Sequence, residues 1–383
     1  MTPEALRPLF DDNFATLGEL GASVSVWKED REILGLAGGF RDPEQAKPWG
    51  PETRILFWSA TKGLAAATTL HALQSESVGL ERKVSSLWRA FAAHGKQDVT
   101  LAQLMSHQAG LAALSRNVPV QDHEQVADAL AAEPPNWVPG SRHGYHPRTF
   151  GFLLDEVVRR VTGLPLAAYW RQTFAEPLQL NLWIGIDPDL ADSVAPVFPA
   201  RSAPPKNDPF YTAFLTSGSL TARAFASPKG LHNAGSMNTR EARVAAYPGF
   251  GGIGTASALA KFYLMLAQDG SFKGRTYFKP QTLELMRRPI VSGDDALLLM
   301  PTAFSAGFMQ DPLDSWGRKI RRTFGPSPRA FGHPGAGGSL GFADPDAGLG
   351  FAYVMNQMAP GVLPNPRCLR LVHSLYEETP TTP

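Results

Sequence analysis

The residues best suited to work as a chemical pair are Ser59 and Lys62, in the run Ser59-Ala60-Thr61-Lys62. Ala60 to Ser75 is rich in Ala, Leu and Thr, with Gly63 as its one breaker, and so reads as a buried helix with Ser59 at its start. Side chains three apart on a helix share a face, which lets a hydroxyl and an amine touch. A serine hydroxyl is a weak nucleophile until a base takes its proton. A lysine drawn into a partly desolvated cleft has its pKa pushed down and can serve as that base. The helix N-terminus adds backbone N–H groups for a developing oxyanion. A capping serine followed by a surface lysine would give the same four residues, so the pair needs its context.

Other chemistry-bearing spacings are weaker. Gly337-Gly338-Ser339-Leu340-Gly341 fits the Gly-x-Ser-x-Gly nucleophile elbow, which needs a strand before it, a helix after it, and then an acid and a histidine downstream. Here the sequence after Phe342 reads as strand and turn, and His373 is the only later histidine, so Ser339 is expected to be a decoy. His143 and His146 are three apart, but they precede Pro147, which disfavours helix, and no His-Glu-x-x-His occurs; no metal site is expected. His107 is expected to brace a loop by hydrogen bonding. Cys368, the single cysteine, rules out an intrachain disulfide and reads as a buried thiol.

The elements that must position Ser59 and Lys62 follow from periodicity. Thr2 to Leu20 carries apolar residues at helical spacing, and Ala22–Trp27 and Glu32–Ala37 alternate like two strands of a hairpin turning around Glu29, Asp30 and Arg31. Short helices are expected over Leu101–Met105, Glu124–Ala132 and Thr149–Val161, the last stopped by Gly163. Ala195 to Pro209 contains five prolines and reads as an irregular surface loop, a lid or pocket wall among its possible roles. Ala256–Gln268 is an apolar helix capped by Thr255, Gly341–Met355 two strands turning at Asp344, Pro345 and Asp346, and Cys368–Glu377 a closing helix. Strand signals gather at both chain ends and helices in the middle. The expected fold is α+β: an antiparallel sheet flanked by helices and built from residues 1–80 and 240–383, with a mostly helical domain, 81–239, inserted. The cleft between them is the natural site.

Composition narrows the partners. Thirty-six basic residues face thirty-five acidic ones, for a formal charge of +1, and no run of one sign could track nucleic acid or a membrane surface. No apolar stretch is long enough to span a bilayer as a helix, and the first thirty residues lack the pattern of a secretory signal, so a cytoplasmic protein acting on a small molecule is expected. Oligomeric state is not legible.

Five blocks supply the context for Ser59: Phe57 to Gly63 (FWSATKG), Thr100 to Leu111 (TLAQLMSHQAGL), Pro139 to Gly163 (PGSRHGYHPRTFGFLLDEVVRRVTG), Tyr247 to Leu266 (YPGFGGIGTASALAKFYLML) and Gly332 to Phe342 (GHPGAGGSLGF). In kind and order they resemble the serine β-lactamase superfamily, and more narrowly its class C β-lactamase-like carboxylesterases, the family VIII esterases. The resemblance implies a β-lactamase/penicillin-binding-protein-like fold, acylation of Ser59, and proton transfer by Lys62 and by Tyr145, the tyrosine of the Tyr-x-Asn motif. Such a tyrosine shuttles protons if a neighbouring ammonium lowers its phenolic pKa. It also implies that His333-Pro334-Gly335 stands where the family has Lys-Thr-Gly, with the N–H of Ala336 joining that of Ser59 as the oxyanion hole. Pro147 replaces the family's asparagine and His333 its lysine. With both the side-chain amide and the cation gone, neutral acyl esters of small or short-chain acids are expected over anionic β-lactams or D-alanyl peptides. A β-lactamase or D-amino-acid peptidase is the alternative within the superfamily, and a catalytically silent binding protein the alternative outside enzymes. No cofactor is implied.

Overall fold

The computed structural model describes residues 3–377; Thr2, the first residue of the expected N-terminal helix, lies outside them. Two strands open the fold, β1 (Gly21–Lys28) and β2 (Arg31–Gly39), paired antiparallel so that Lys28 faces Arg31. Glu29 and Asp30 make the turn at φ +52° and +60°, the left-handed pair that a two-residue hairpin requires. Six further strands come from the C-terminal third: β3 (Val291–Asp294), β4 (Pro301–Phe304), β5 (Met309–Gln310), β6 (Phe331–Pro334), β7 (Leu340–Asp344) and β8 (Leu349–Met355). All eight form one antiparallel sheet in the order β2-β1-β8-β7-β6-β5-β4-β3. The sheet is thus assembled from both chain ends, with Ala22 opposite Met355.

Helices cover both faces. On one side lie α1 (Pro3–Thr16) and, at the other end of the chain, Pro366–Tyr376; on the other side lie α2 (Thr61–Ser75) and Ala256–Ala267. The two-residue strand period sorts β8 between them: Phe351, Tyr353 and Met355 join the core under α1, Ala352 and Val354 the core under α2. A strand clad on both faces reads as unbroken apolar sequence, as β8 does. Gly350 permits the close approach on the second face, since a Cβ there would stand 2.1 Å from the Ala260 carbonyl oxygen.

Most of the regular elements between β2 and β3 are helices. His123–Ala132 and Thr149–Thr162 match the sequence expectation, and Gly163 ends the second at φ +77°. The Thr149–Thr162 helix buries Phe150, Leu153, Leu154 and Val157 and packs on α2. Periodicity did not reveal a small sheet in which Gly252–Gly254 pairs with both Ile55–Leu56 and Leu182–Ile184. Strands of two and three residues are too short to show alternation, yet this sheet anchors the segment leading into Ser59: Phe57 donates its N–H to Gly252 O at 3.1 Å.

The proline-rich 195–209 segment is irregular as far as Asp208, whose carboxylate caps a helix over Pro209–Leu215. Phe198 ties it to the end of β8, donating its N–H to Asn356 O and accepting from the Met358 N–H. No helix among the described residues is long and apolar enough to cross a membrane.

Candidate active site

Ser59 stands in a tight 3-10 turn, Trp58–Ala60, that feeds directly into α2. Trp58 takes φ +48°, an unusual conformation for a bulky residue and one that stores strain beside Ser59. Thr61 locks the turn: its Oγ1 donates to Trp58 O and accepts from the Gly252 N–H at 2.7 Å. Ser59 itself stays half-exposed while Phe57, Trp58 and Ala60 are buried.

Lys62, one turn along, is completely buried. Its Nζ lies 3.3 Å from Ser59 Oγ, 2.8 Å from Pro147 O and 2.8 Å from Gly249 O. Burial, reinforced by the charge of Arg148, holds its pKa well below that of an ordinary lysine. A neutral amine has two N–H donors and one lone pair, and two carbonyls plus one hydroxyl are the partners that match it. In that state the lone pair is free to accept the Ser59 hydroxyl proton.

Tyr145 is 4% exposed, and Lys62 Nζ lies 4.8 Å from its ring centroid. Burial drives the Tyr145 pKa above its usual value, although hydrogen bonding with Ser59 works the other way. This is opposite in direction to the sequence expectation of a phenol acidified by an ammonium: burial disfavours the charged form of each group, lowering the lysine and raising the tyrosine. Asp295 fixes the tyrosine from behind. Its buried carboxylate accepts the N–H groups of Tyr145, Leu297 and Leu298 and the Thr302 hydroxyl.

On the opposite wall the turn after β6 presents Ala336. Gly335 N–H donates to Ser339 O at 2.7 Å and Gly338 N–H to Gly335 O at 3.1 Å, while among the described residues neither the Ala336 nor the Ser59 N–H has a backbone hydrogen-bond acceptor. Ala336 and Ser59 line the same cleft. Gly335 sits so close to the nucleophile's turn that a Cβ would fall 2.2 Å from Phe57 O. Gly335→Ala is therefore expected to force the two N–H donors apart and lower kcat on the order of 10²-fold, the size of losing one oxyanion donor, in a steady-state assay with KM changed little.

His333 does not line this cleft. It is 1% exposed, stacked on Tyr145 at 5.8 Å between ring centroids, with Nδ1 2.7 Å from Pro334 O. Burial pushes its pKa down to about 3, so it is neutral. The expectation of a substrate-contacting His333 is thus corrected to a packing position: the ring on β6 points into the core behind the tyrosine. His146 is likewise fixed, its Nε2 accepting the Leu111 N–H and its Nδ1 directed at Gly144 O, and His143 Nε2 meets Thr302 Oγ1. Among the described residues no three His, Cys, Asp or Glu side chains gather as metal ligands. His107 braces the loop by accepting the His146 N–H. Ser339 is fully buried between β6 and β7, a strand follows it where the elbow needs a helix, and His373 lies exposed on the last helix, so the motif is not a nucleophile elbow.

The cleft over Ser59, about 310 Å³, carries an apolar wall that motif reading missed: Trp58, Phe210, Phe214, Phe225, Phe250 and Met358 line it, with Pro199 and Ala200 from the proline-rich loop. The signal was the aromatic spacing in Phe210-Tyr211-Thr212-Ala213-Phe214, which gives no hint of its target. Arg148, also in the lining, was passed over although it lies three residues beyond Tyr145.

With this geometry in view, comparison with known proteins is informative. Residues 10–370 match the family model described as Beta-lactamase. The chain is 30% identical over 351 residues to the esterase/beta-lactamase LipL of Mycobacterium tuberculosis (strain ATCC 25618 / H37Rv), covering 88% of this chain and 77% of that protein. Among solved structures, a family VIII carboxylesterase superposes with TM-score 0.86 at 34% identity, covering 97% of this chain and 96% of the other. A penicillin-binding protein homologue from Caulobacter crescentus gives TM-score 0.86 and 34% identity over 98% and 96% of the two chains. Fold, match length and identity agree: the chain belongs to the beta-lactamase family and is a serine hydrolase.

Proposed function

We propose that the protein is a carboxylesterase that hydrolyses small or short-chain acyl esters through an acyl-enzyme on Ser59. The observation that carries this reading is the triple environment of Lys62 Nζ, two carbonyls and the Ser59 hydroxyl. Ser59 Oγ attacks the ester carbonyl as its proton passes to Lys62, and the carbonyl electron pair moves to an oxyanion held by the Ser59 and Ala336 N–H groups. Collapse expels the alcohol, protonated by Tyr145, which takes a proton in turn from the Lys62 ammonium. Water then attacks the acyl-enzyme by the same route reversed.

An ester rather than a lactam or D-alanyl peptide is favoured by the wall chemistry. The side-chain amide of the family motif is replaced by Pro147, which offers Lys62 a carbonyl instead, and His333 is neutral and buried. Arg148 is a cation, but each of its nitrogens already meets a backbone carbonyl. The name of one relative points the same way, a solved structure described as a family VIII carboxylesterase, while that of LipL spans both activities. The two-part division, 1–80 with 240–383 against 81–239, completes the proposal: Ser59 and Ala336 come from the first part, Pro147 and Phe210 from the second, so the cleft is the seam between them.

A panel of p-nitrophenyl acetate, butyrate and longer esters beside nitrocefin and a D-alanyl amide tests the proposal. The expected result is ester kcat/KM at least about 10²-fold above lactam or amide, since an unmatched polar or charged group in an apolar cleft costs on the order of 3 kcal/mol. Faster nitrocefin turnover would reverse the ranking, and no adduct with a fluorophosphonate would mark a silent binding protein.

A further inference from the structure

Beside Lys62 lies a buried arginine without an acidic partner. Arg148 is 6% exposed, and its nitrogens reach three carbonyls of one segment: Nε donates to Pro228 O at 3.2 Å, Nη1 to Leu231 O at 3.0 Å and Nη2 to Gly230 O. Among the described residues no carboxylate pairs with it; Tyr247 is the ionisable neighbour that favours its charge. Each guanidinium nitrogen thus donates to a carbonyl of that segment, which fixes the side chain in place.

The position of Arg148 is tied to that of Lys62 on two sides. Pro147, which precedes it, supplies one carbonyl to Nζ; Gly249 supplies the other and precedes Phe250, whose ring centroid lies 4.9 Å from the guanidinium carbon. One side chain, through its own peptide bond and through a stacking contact, therefore holds both acceptors of the amine. The groups facing Lys62 are Ser59, Tyr145, His107, His146, His333 and Arg148. Burial keeps the three histidines neutral and Tyr145 a phenol, while Asp295 sits further back against the Tyr145 main chain and His143. Arg148, flanked on its own far side by Tyr247 and His232, supplies the fixed charge of this surround.

We propose that Arg148 is a positioning residue for Lys62 as base: its clamp fixes the two carbonyls that hold Nζ beside Ser59, and its uncompensated charge opposes a second cation there. The proposal rests on Lys62 being the base of the esterase reaction. Its test is the acid limb of kcat/KM for p-nitrophenyl butyrate, and of the rate at which a fluorophosphonate labels Ser59, followed from about pH 5 to about pH 10.

Arg148→Met, which loses charge and clamp, is expected to move that limb upward by about one pH unit and to regain part of its activity in alkali. Arg148→Lys keeps a charge but not the planar fork, and is expected to lower the plateau with the limb in place. A limb unmoved in Arg148→Met, or moved as far in Arg148→Lys, would overturn the proposal; the lysine variant decides alone if the methionine variant does not fold. A wild-type protein that neither turns over the ester nor takes the label would defeat the esterase reading instead, so the two failures are distinct.

Discussion

Ser59→Ala is expected to lower p-nitrophenyl ester turnover on the order of 10⁴-fold or more and to abolish fluorophosphonate labelling. In the proposed scheme every group around Ser59 acts through its oxygen: Lys62 Nζ stands 3.3 Å from it, the Tyr145 ring lies against Lys62, and the oxyanion donors serve a carbonyl that only it attacks. Removing it leaves the other groups nothing to activate, which is why such losses are not additive with those of its partners. The half-exposed hydroxyl fills no core space, so the thermal midpoint should barely move. The control is Ser339→Ala. Ser339 Oγ is buried without a hydrogen-bond partner, and its removal should leave turnover within a few-fold of wild type. If the first variant remained active and the second did not, the nucleophile would be misassigned.

The second large effect concerns the base. Lys62→Met is expected to cost on the order of 10³-fold or more in kcat/KM and to erase the acid limb of the pH profile, because that limb reports the amine. The sign follows from the shift: Lys62 is held well below its ordinary pKa, so it becomes an unreactive ammonium only as pH falls through that lowered value, and activity rises with pH across it. Stability should suffer too, by about 1–3 kcal/mol, since Pro147 O and Gly249 O are left buried without a donor. Tyr145→Phe removes a proton relay but abandons no such pair of buried acceptors. Its expected loss is about 10²-fold, with the acid limb retained. Equal pH profiles in the two variants would assign the base to the wrong side chain.

Much of the fold was legible because its long elements obey one period each. The hairpin of β1 and β2, the buried helix after Ser59, the Thr149–Thr162 helix with its glycine stop and the C-terminal strands all carry patterns longer than a turn. The three-stranded sheet through Gly252–Gly254 did not, because its pairing is set by where the chain happens to meet itself. The aromatic cleft wall was hidden for a related reason: Phe210 is buried, Phe225 partly buried and Phe214 exposed, and spacing alone does not say which aromatic faces a cavity.

His333 is the most instructive difference. Motif position placed it at the substrate, yet the side-chain alternation of β6 turns its ring inward onto Tyr145. Likewise burial moves the Tyr145 phenol upward where a neighbouring ammonium was expected to lower it, whereas the downward shift of the Lys62 amine is the one its motif led us to expect.

Residue type and order alone determined that a hydroxyl and an amine share one face of a helix, that a tyrosine and a glycine turn accompany them in fixed succession, and that no cysteine cluster is available. Those properties are local, carried by spacing along the chain. Protonation state, the partners of Lys62 and the shape of the cleft were decided only in three dimensions, because desolvation and hydrogen bonding depend on which distant segments, Pro147, Gly249 and Arg148 among them, close around a side chain and exclude water from it.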